Sequence, residues 1–301
     1  MITSFEQIYE ILRSKTRKRL VAAWAVDDHT ITAAYKAVQL GIVDATLVGD
    51  VNMIKDVCAK EKIDPSVFTI IHNDNELNSI AQAVGMVRDG QGDILMKGLC
   101  STDKYMRGIL NKERGLLPPK AVLSHVCVMK NPNYHKMIIL GDMAVIPLPD
   151  LNQKVAITKY LVNTARALQI DKPKVAIIAA TEQMLPGMQA CVDAAIISKM
   201  IDRKAIPNCV GDGPLALDVA ISKEAVEIKK LASPVAGDAD CLVFPNIESA
   251  NVFYKVNSQL CNGVQQAAIV AGAMAPCVLS SRADSIDTKL NSIALAALTA
   301  K

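Results

Sequence analysis

Short apolar runs alternate with longer amphipathic stretches along most of this chain, and their spacing predicts strands separated by helices. Ser4 with Gln7 reads as a capping box that opens a first amphipathic helix. An apolar run at 20–26 precedes a helix over 30–40 that Gly41 stops, and a run at 45–48 ends in Gly49-Asp50. A helix over 51–62, a strand at 68–72, a helix over 76–88 and a strand at 93–96 continue the pattern. Around 141–150 the texture changes. Pro147 and Pro149 punctuate a loop there, and Asp150 can cap a helix with apolar residues at 151, 155, 161, 165 and 168.

After Pro173 the alternation restarts with a strand at 174–180, a helix from Pro186 and a short strand at 208–210. A helix over 215–222, a strand at 241–244 and a helix over 249–261 follow. Runs at 267–270 and 277–279 lead into a final helix over 287–298. Strands spaced by helices in this way form βαβ units, so the expected fold class is α/β with a mostly parallel sheet. A domain boundary is expected near residue 145.

Composition supports that architecture. Hydrophobic residues make up 51% of the 301 and charged ones 21%, enough to bury a sizeable core. Aromatics are only 4%, so the core must be built from Ala, Val, Ile and Leu, as suits a buried parallel sheet. The net charge of +3 permits an anionic substrate. It does not point to nucleic acid, because Lys and Arg are scattered and the basic run at 13–19 reads as a solvated helix end. The eight cysteines contain no CxxC pair and lie mostly in apolar runs, as small buried hydrophobes do in a reducing compartment. The N-terminus lacks the apolar core of a signal peptide, and no segment reaches 18 uninterrupted apolar residues. A cytoplasmic protein that meets neither membrane nor nucleic acid is expected.

In open α/β sheets, ligands sit beyond the C-terminal ends of strands, where helix N-termini favour anions. That rule selects four loops, at 97–103, 181–187, 211–218 and 280–287. The first, Lys97-Gly98-Leu99-Cys100-Ser101-Thr102-Asp103, combines a cation, a glycine and two hydroxyls at a helix start. Its backbone amides with Ser101 and Thr102 can hold a phosphate that Lys97 or Arg107 neutralises; it also fits a plain helix cap beside a surface lysine. Cys100 has no histidine near it in sequence to activate it as a nucleophile. The loop Gly211-Asp212-Gly213-Pro214 reads as a tight turn entering a helix, with Gly213 open to close approach by a ligand.

The last loop, Ser281-Arg282-Ala283-Asp284-Ser285, follows a strand-like run and offers a guanidinium fork beside hydroxyls. Asp284 and Asp287 add carboxylates within one helical turn; a capped helix with an Arg–Asp surface pair is the alternative reading. The histidines at 29, 72, 125 and 135 show no metal-ligand spacing, and Asp27-Asp28-His29 reads as an exposed turn. No metal site is expected.

Taken together, five stretches resemble the phosphate acetyl- and butyryltransferase family: MKGLCSTDKYMRGILNKE (96–113), GDMAVIPLPD (141–150), VGDGPLALDVAIS (210–222), CLVFPNIESANVFYK (241–255) and APCVLSSRADSIDTK (275–289). Their forms look more like the butyryl than the acetyl members. The resemblance implies reversible acyl transfer between CoA and inorganic phosphate, with acyl-CoA, phosphate and acyl phosphate as partners and no cofactor. It implies two α/β domains of the isocitrate/isopropylmalate dehydrogenase type, with the active site in the cleft between them and a homodimer or larger homo-oligomer. The last helix then returns to the first domain, giving 1–145 plus 275–301 and 146–274. Ser281 and Arg282 match the family's phosphate contacts, and its hydroxyl pair falls on Ser101 and Thr102. The family's aspartate base aligns with Thr288, so Asp287 and Asp284 are both candidates for that role.

The chemistry needs no metal or enzyme nucleophile. Phosphate attacking the thioester builds an oxyanion that requires preorganised donors, and Arg282 can hold phosphate in line. Two other readings compete: a decarboxylating dehydrogenase of the same fold, which would need clustered aspartates for a metal, and a CoA-binding protein without turnover.

Overall fold

The computed structural model describes residues 1–281 and 284–301. In chain order the elements are α1 (Phe5–Arg13), β1 (Lys18–Ala23), α2 (Asp28–Gln39), β2 (Val43–Gly49), α3 (Val51–Glu61), β3 (Thr69–His72), α4 (Glu76–Arg88), β4 (Ile94–Lys97) and α5 (Thr102–Leu110). Then come β5 (Ser124–Lys130), β6 (Met137–Gly141), α6 (Leu151–Ala167), β7 (Lys174–Ile178), α7 (Gln189–Asp202), β8 (Val210–Leu215), α8 (Leu217–Ile221) and α9 (Lys223–Lys229). The last are β9 (Cys241–Val243), α10 (Ile247–Leu260), β10 (Gln265–Ala271), β11 (Cys277–Val278) and α11 (Ile286–Thr299). Side-chain caps open many of the helices: Ser4 accepts from the Gln7 amide at α1, and Asp150 with Gln153 forms a full capping box at α6.

The chain divides into two compact units, Ser4–Leu123 with Gln266–Lys301, and Met1–Thr3 with Ser124–Gln265. In the first unit the strands run in the order β3-β2-β1-β4-β11-β10, with every neighbouring pair parallel except β10 and β11. In the second unit the order is β5-β6-β9-β7-β8, parallel apart from the β5–β6 pair. Helices flank both sheets. The fold class is thus α/β with a mostly parallel sheet. The sequence reading puts the changes of unit near 145 and 275, whereas the units change over at 123/124 and 265/266. The reason lies in strand pairing: β5 pairs with β6 and β6 with β9, which ties residues 124–141 to the segment that follows them.

The 210–215 segment also differs from its expected form. It is not a turn entering a helix but strand β8, paired with β7 from Lys174↔Val210 to Ile178↔Leu215. Its glycines serve packing: a Cβ on Gly213 would stand 2.7 Å from the Ile177 carbonyl oxygen, and one on Gly211 only 2.2 Å from the Ile201 side chain.

Small residues also decide the packing of α11. Every residue from Lys289 to Ala297 is buried, because α11 lies against α1, α2, β4 and β11 at once. A helix enclosed on all sides must be apolar all round, and Ala294, Ala296 and Ala297 let its neighbours approach closely. Burial of Ile293 and Leu295 contributes about 1.5–3 kcal/mol each.

In the second unit, α6 and α7 meet across a buried ion pair. Lys154 Nζ donates to Asp193 Oδ2 at 2.6 Å, and Gln189 Nε2 donates to the other oxygen at 2.8 Å. Removing one member of a buried pair strands the other charge, which costs far more than the pair contributes over an apolar substitute. Lys154→Met is therefore expected to destabilise the protein by about 3–5 kcal/mol, and Lys154→Met with Asp193→Leu to recover most of that loss. Chemical unfolding of the two variants checks this.

Candidate active site

Three adjacent parallel strands of the first unit end level with one another. Ala23 of β1 stands beside Lys97 of β4, and Met96 stands beside Val278 of β11. Each strand is followed by a short loop and a helix, so the starts of α2, α5 and α11 gather along one edge. Helix starts leave amide N–H groups without intrahelical partners, and the aligned peptide dipoles favour negative charge there.

The loops are tied to one another by backbone. Trp24 takes a left-handed conformation (φ 52°), and its carbonyl accepts from the Leu99 amide at 2.9 Å while that of Ala23 accepts from the Gly98 amide at 2.9 Å. This leaves no room for a side chain at position 98, where a Cβ would come within 2.2 Å of the Trp24 oxygen. Asp27 Oδ1 caps α2 by accepting from the Thr30 amide at 2.9 Å, Ser101 Oγ caps α5 through the Lys104 amide at 3.3 Å, and Ser285 Oγ caps α11 through the Thr288 amide at 3.1 Å. The wholly buried Tyr105 hydroxyl lies within hydrogen-bond reach of the carbonyls of Leu95 (3.3 Å) and Val278 (3.2 Å), to either of which its one proton can be donated, and so ties α5 to β4 and β11.

A pocket of about 130 Å³ opens at this edge, lined by Asp27, Asp28, His29, Gly98, Leu99 and Lys289. His29 Nδ1 lies 3.2 Å from the Asp284 carbonyl oxygen. Lys289 is buried, and its Nζ donates to Ser280 Oγ at 3.1 Å. Burial pushes the Lys289 ammonium below its ordinary pKa, against the pull of the Asp27 and Asp284 carboxylates. At Asp28 burial acts to raise the pKa, yet hydrogen bonds from the His29 amide and Lys60 hold the carboxyl below its usual range.

This edge brings together several of the residues expected from sequence. Lys97 is buried at the end of β4, its Nζ donating to the Gly98 carbonyl at 3.2 Å. Ser101 and Thr102 open α5. The Ser281 amide donates to Asp284 Oδ2 at 2.6 Å. Arg107 is exposed and pairs with Asp103 at 3.0 Å one turn earlier, and Asp287 is exposed and pairs with Lys36 of α2 at 3.0 Å. Gly213 belongs to the second unit, in β8. Arg282 lies outside the described residues.

Two features escape the sequence reading. Asp27-Asp28-His29 is not an exposed turn but a half-buried wall of the pocket. Lys289 is absent from the expected set, although it is the only charged residue between Asp287 and Lys301, in an otherwise apolar helix. That isolation was the available signal. Cys100 is fully buried, and burial pushes its thiol pKa up in spite of nearby Lys97. Among the described residues, no three His, Cys, Asp or Glu side chains are grouped to hold a metal ion, and no helix is long and apolar enough to cross a membrane.

With this geometry in view, the relatives of the chain are informative. Residues 74–297 match the family described as phosphate acetyl/butaryl transferase. The chain is 42% identical over 300 residues to a phosphate butyryltransferase of Clostridium acetobutylicum, covering 100% of this chain and 99% of that one. It is 37% identical over 298 residues to a phosphate acetyltransferase of Thermotoga maritima, covering 98% and 99%. Among solved structures, a branched-chain phosphotransacylase from Enterococcus faecalis V583 superposes with a TM-score of 0.81 at 28% identity, covering 94% of this chain and 98% of that one. A match that spans three quarters of the chain, with full-length relatives well above 30% identity, leaves one conclusion: the chain belongs to the phosphate acetyl/butaryl transferase family.

Proposed function

We propose that this protein moves an acyl group reversibly between CoA and inorganic phosphate, with butyryl as its preferred acyl group. The observation that carries the reading is the full-length identity of 42% to a phosphate butyryltransferase, against 37% to a phosphate acetyltransferase. The strand-end edge supplies what the reaction asks for: amide donors at three helix starts, the hydroxyls of Ser101, Thr102 and Ser281, and buried Lys97.

In this reading Arg282 and Ser281 hold phosphate beside the thioester carbonyl, and one phosphate oxygen attacks the carbonyl carbon. The C–S bond then breaks, and the electron pair leaves on sulfur as the CoA thiolate. A thiol with an ordinary pKa near about 8.5 leaves with little acid help, and the reverse direction asks only a modest base. Asp284 and Asp287 are the two carboxylates proposed for that base; Asp284 accepts from the Ser281 amide, while Asp287 faces Lys36. Lys97, Arg107 and Gly213 remain proposed substrate contacts. The dehydrogenase-type fold, the cytoplasmic location, the homo-oligomer and the independence from any cofactor belong to the same proposal.

Transfer is direct. A thiol that is buried and raised in pKa is a poor nucleophile, which argues against an acyl-Cys100 intermediate. Release of free thiol from butyryl-CoA is therefore expected to require phosphate, and initial rates with both substrates varied are expected to give intersecting double-reciprocal lines. Parallel lines, or thiol release without phosphate, would contradict direct transfer. Cys100→Ala is expected to keep this kinetic pattern, with turnover within about tenfold of wild type.

Acyl preference is read by comparing acetyl-, propionyl- and butyryl-CoA. Each methylene in an apolar pocket is worth about 1–3 kcal/mol, so kcat/KM is expected to rise at least about tenfold from acetyl to butyryl. Equal values or a preference for acetyl would move the assignment to phosphate acetyltransferase.

A further inference from the structure

We propose that Lys289 is a positioning residue for acyl transfer: its buried ammonium holds Ser280, and through Ser280 the adjoining Ser281. The proposal rests on the acyl-transfer reading above and adds to it a residue outside the expected site.

Lys289 is costly where it stands. It is only 3% exposed, so its ammonium has lost most of its water. It is also the fourth residue of α11, near the positive end of the helix dipole, where a cation is unfavourable. The eight residues that follow it, Leu290 to Ala297, are buried as well, and a Met or Leu would fill the same space without either cost. Sites that keep an expensive group where an apolar one would fit are candidates for function.

The surroundings show what the ammonium acts on. Nζ donates to Ser280 Oγ at 3.1 Å, and Ser280 is itself only 4% exposed. Ser280 directly precedes Ser281, whose amide donates to Asp284 Oδ2 at 2.6 Å. The carboxylates of Asp27 and Asp284 both attract the ammonium. Asp27 cannot swing away, because its Oδ1 is held by the Thr30 amide; its buried Oδ2 accepts no hydrogen bond among the described residues. One side chain thus joins the end of β11 to the start of α11, and it lines the pocket beside Asp27 and Gly98.

The test compares wild type, Lys289→Met, Ser280→Ala and the double variant by two readouts. The first is amide hydrogen exchange at Ser280, Ser281 and Asp284. Loss of one hydrogen bond to a charged group is expected to speed exchange there by roughly 10- to 100-fold in each single variant, with rates elsewhere in α11 unchanged. The second is steady-state kinetics with butyryl-CoA and phosphate. Lys289→Met is expected to lower kcat about 100-fold, as misplacement of a reacting group does, while KM for acyl-CoA moves less than about threefold. The double variant is expected to be no slower than Lys289→Met alone within about twofold, because both changes break one contact. Wild-type exchange at Ser280 and Ser281 in both single variants, or multiplicative rate losses, would overturn the proposal. If Lys289→Met does not fold, Ser280→Ala reads the same contact by both measurements and decides alone. If wild type shows no phosphate-dependent thiol release, the acyl-transfer reading fails, and the exchange data still decide whether Lys289 positions Ser281.

Discussion

Parallel pairing of β1, β4 and β11 sets everything else at the candidate site. The register Ala23↔Lys97 and Val278↔Met96 puts three chain reversals at one edge, and a slip of one residue would turn every side chain of a strand to the opposite face. Because each reversal leads into a helix, the edge collects backbone amides, of which those of Thr30, Lys104 and Thr288 are capped by Asp27, Ser101 and Ser285. The glycine at 98 is what lets the loop after β4 lie against the backbone after β1, with Ala23 and Trp24 accepting its amides. A larger residue there would force the loops apart and separate Lys97 and Ser101 from the Asp27 wall.

Opposite charges meet within this edge. Lys97 and Lys289 are buried cations, while Asp27 and Asp284 are the carboxylates that compensate Lys289. Burial holds the Lys289 ammonium below its ordinary pKa, against the pull of those carboxylates, and its Nζ donates to the Ser280 hydroxyl. Phosphate and CoA are both anions, so an edge that gathers helix starts and buried cations suits them.

Much of the fold was legible in the sequence because the amphipathic periods are long. The βαβ alternation from residue 18 to 97 matches the observed elements within a few residues, and so does the Asp150 cap of α6. Where packing overrides local chemistry, the reading misses. Gly213 and Pro214 carry turn signals, yet the close approach of Ile177 and Ile201 makes the segment a strand. Strands β5 and β6 owe their place to antiparallel pairing with each other, which the local pattern over 114–140 does not signal. At the candidate site, Ser101, Thr102, Ser281 and Asp284 are legible as candidates because hydroxyls and carboxylates at helix starts stand out in the sequence. Lys289 and Asp27 are not, because their place in the pocket depends on burial and on packing between residues far apart in the chain.

The central claim is that the loop after β11 binds phosphate and drives its attack. Arg282→Ala tests it most directly, with turnover of butyryl-CoA and phosphate measured beside the unfolding midpoint of the same preparation. The account predicts an unchanged midpoint and a fall in kcat/KM for phosphate of about 100- to 1,000-fold, the size seen when one oxyanion-stabilising donor is lost. Wild-type turnover in that variant would contradict it and leave the loop as no more than a helix cap.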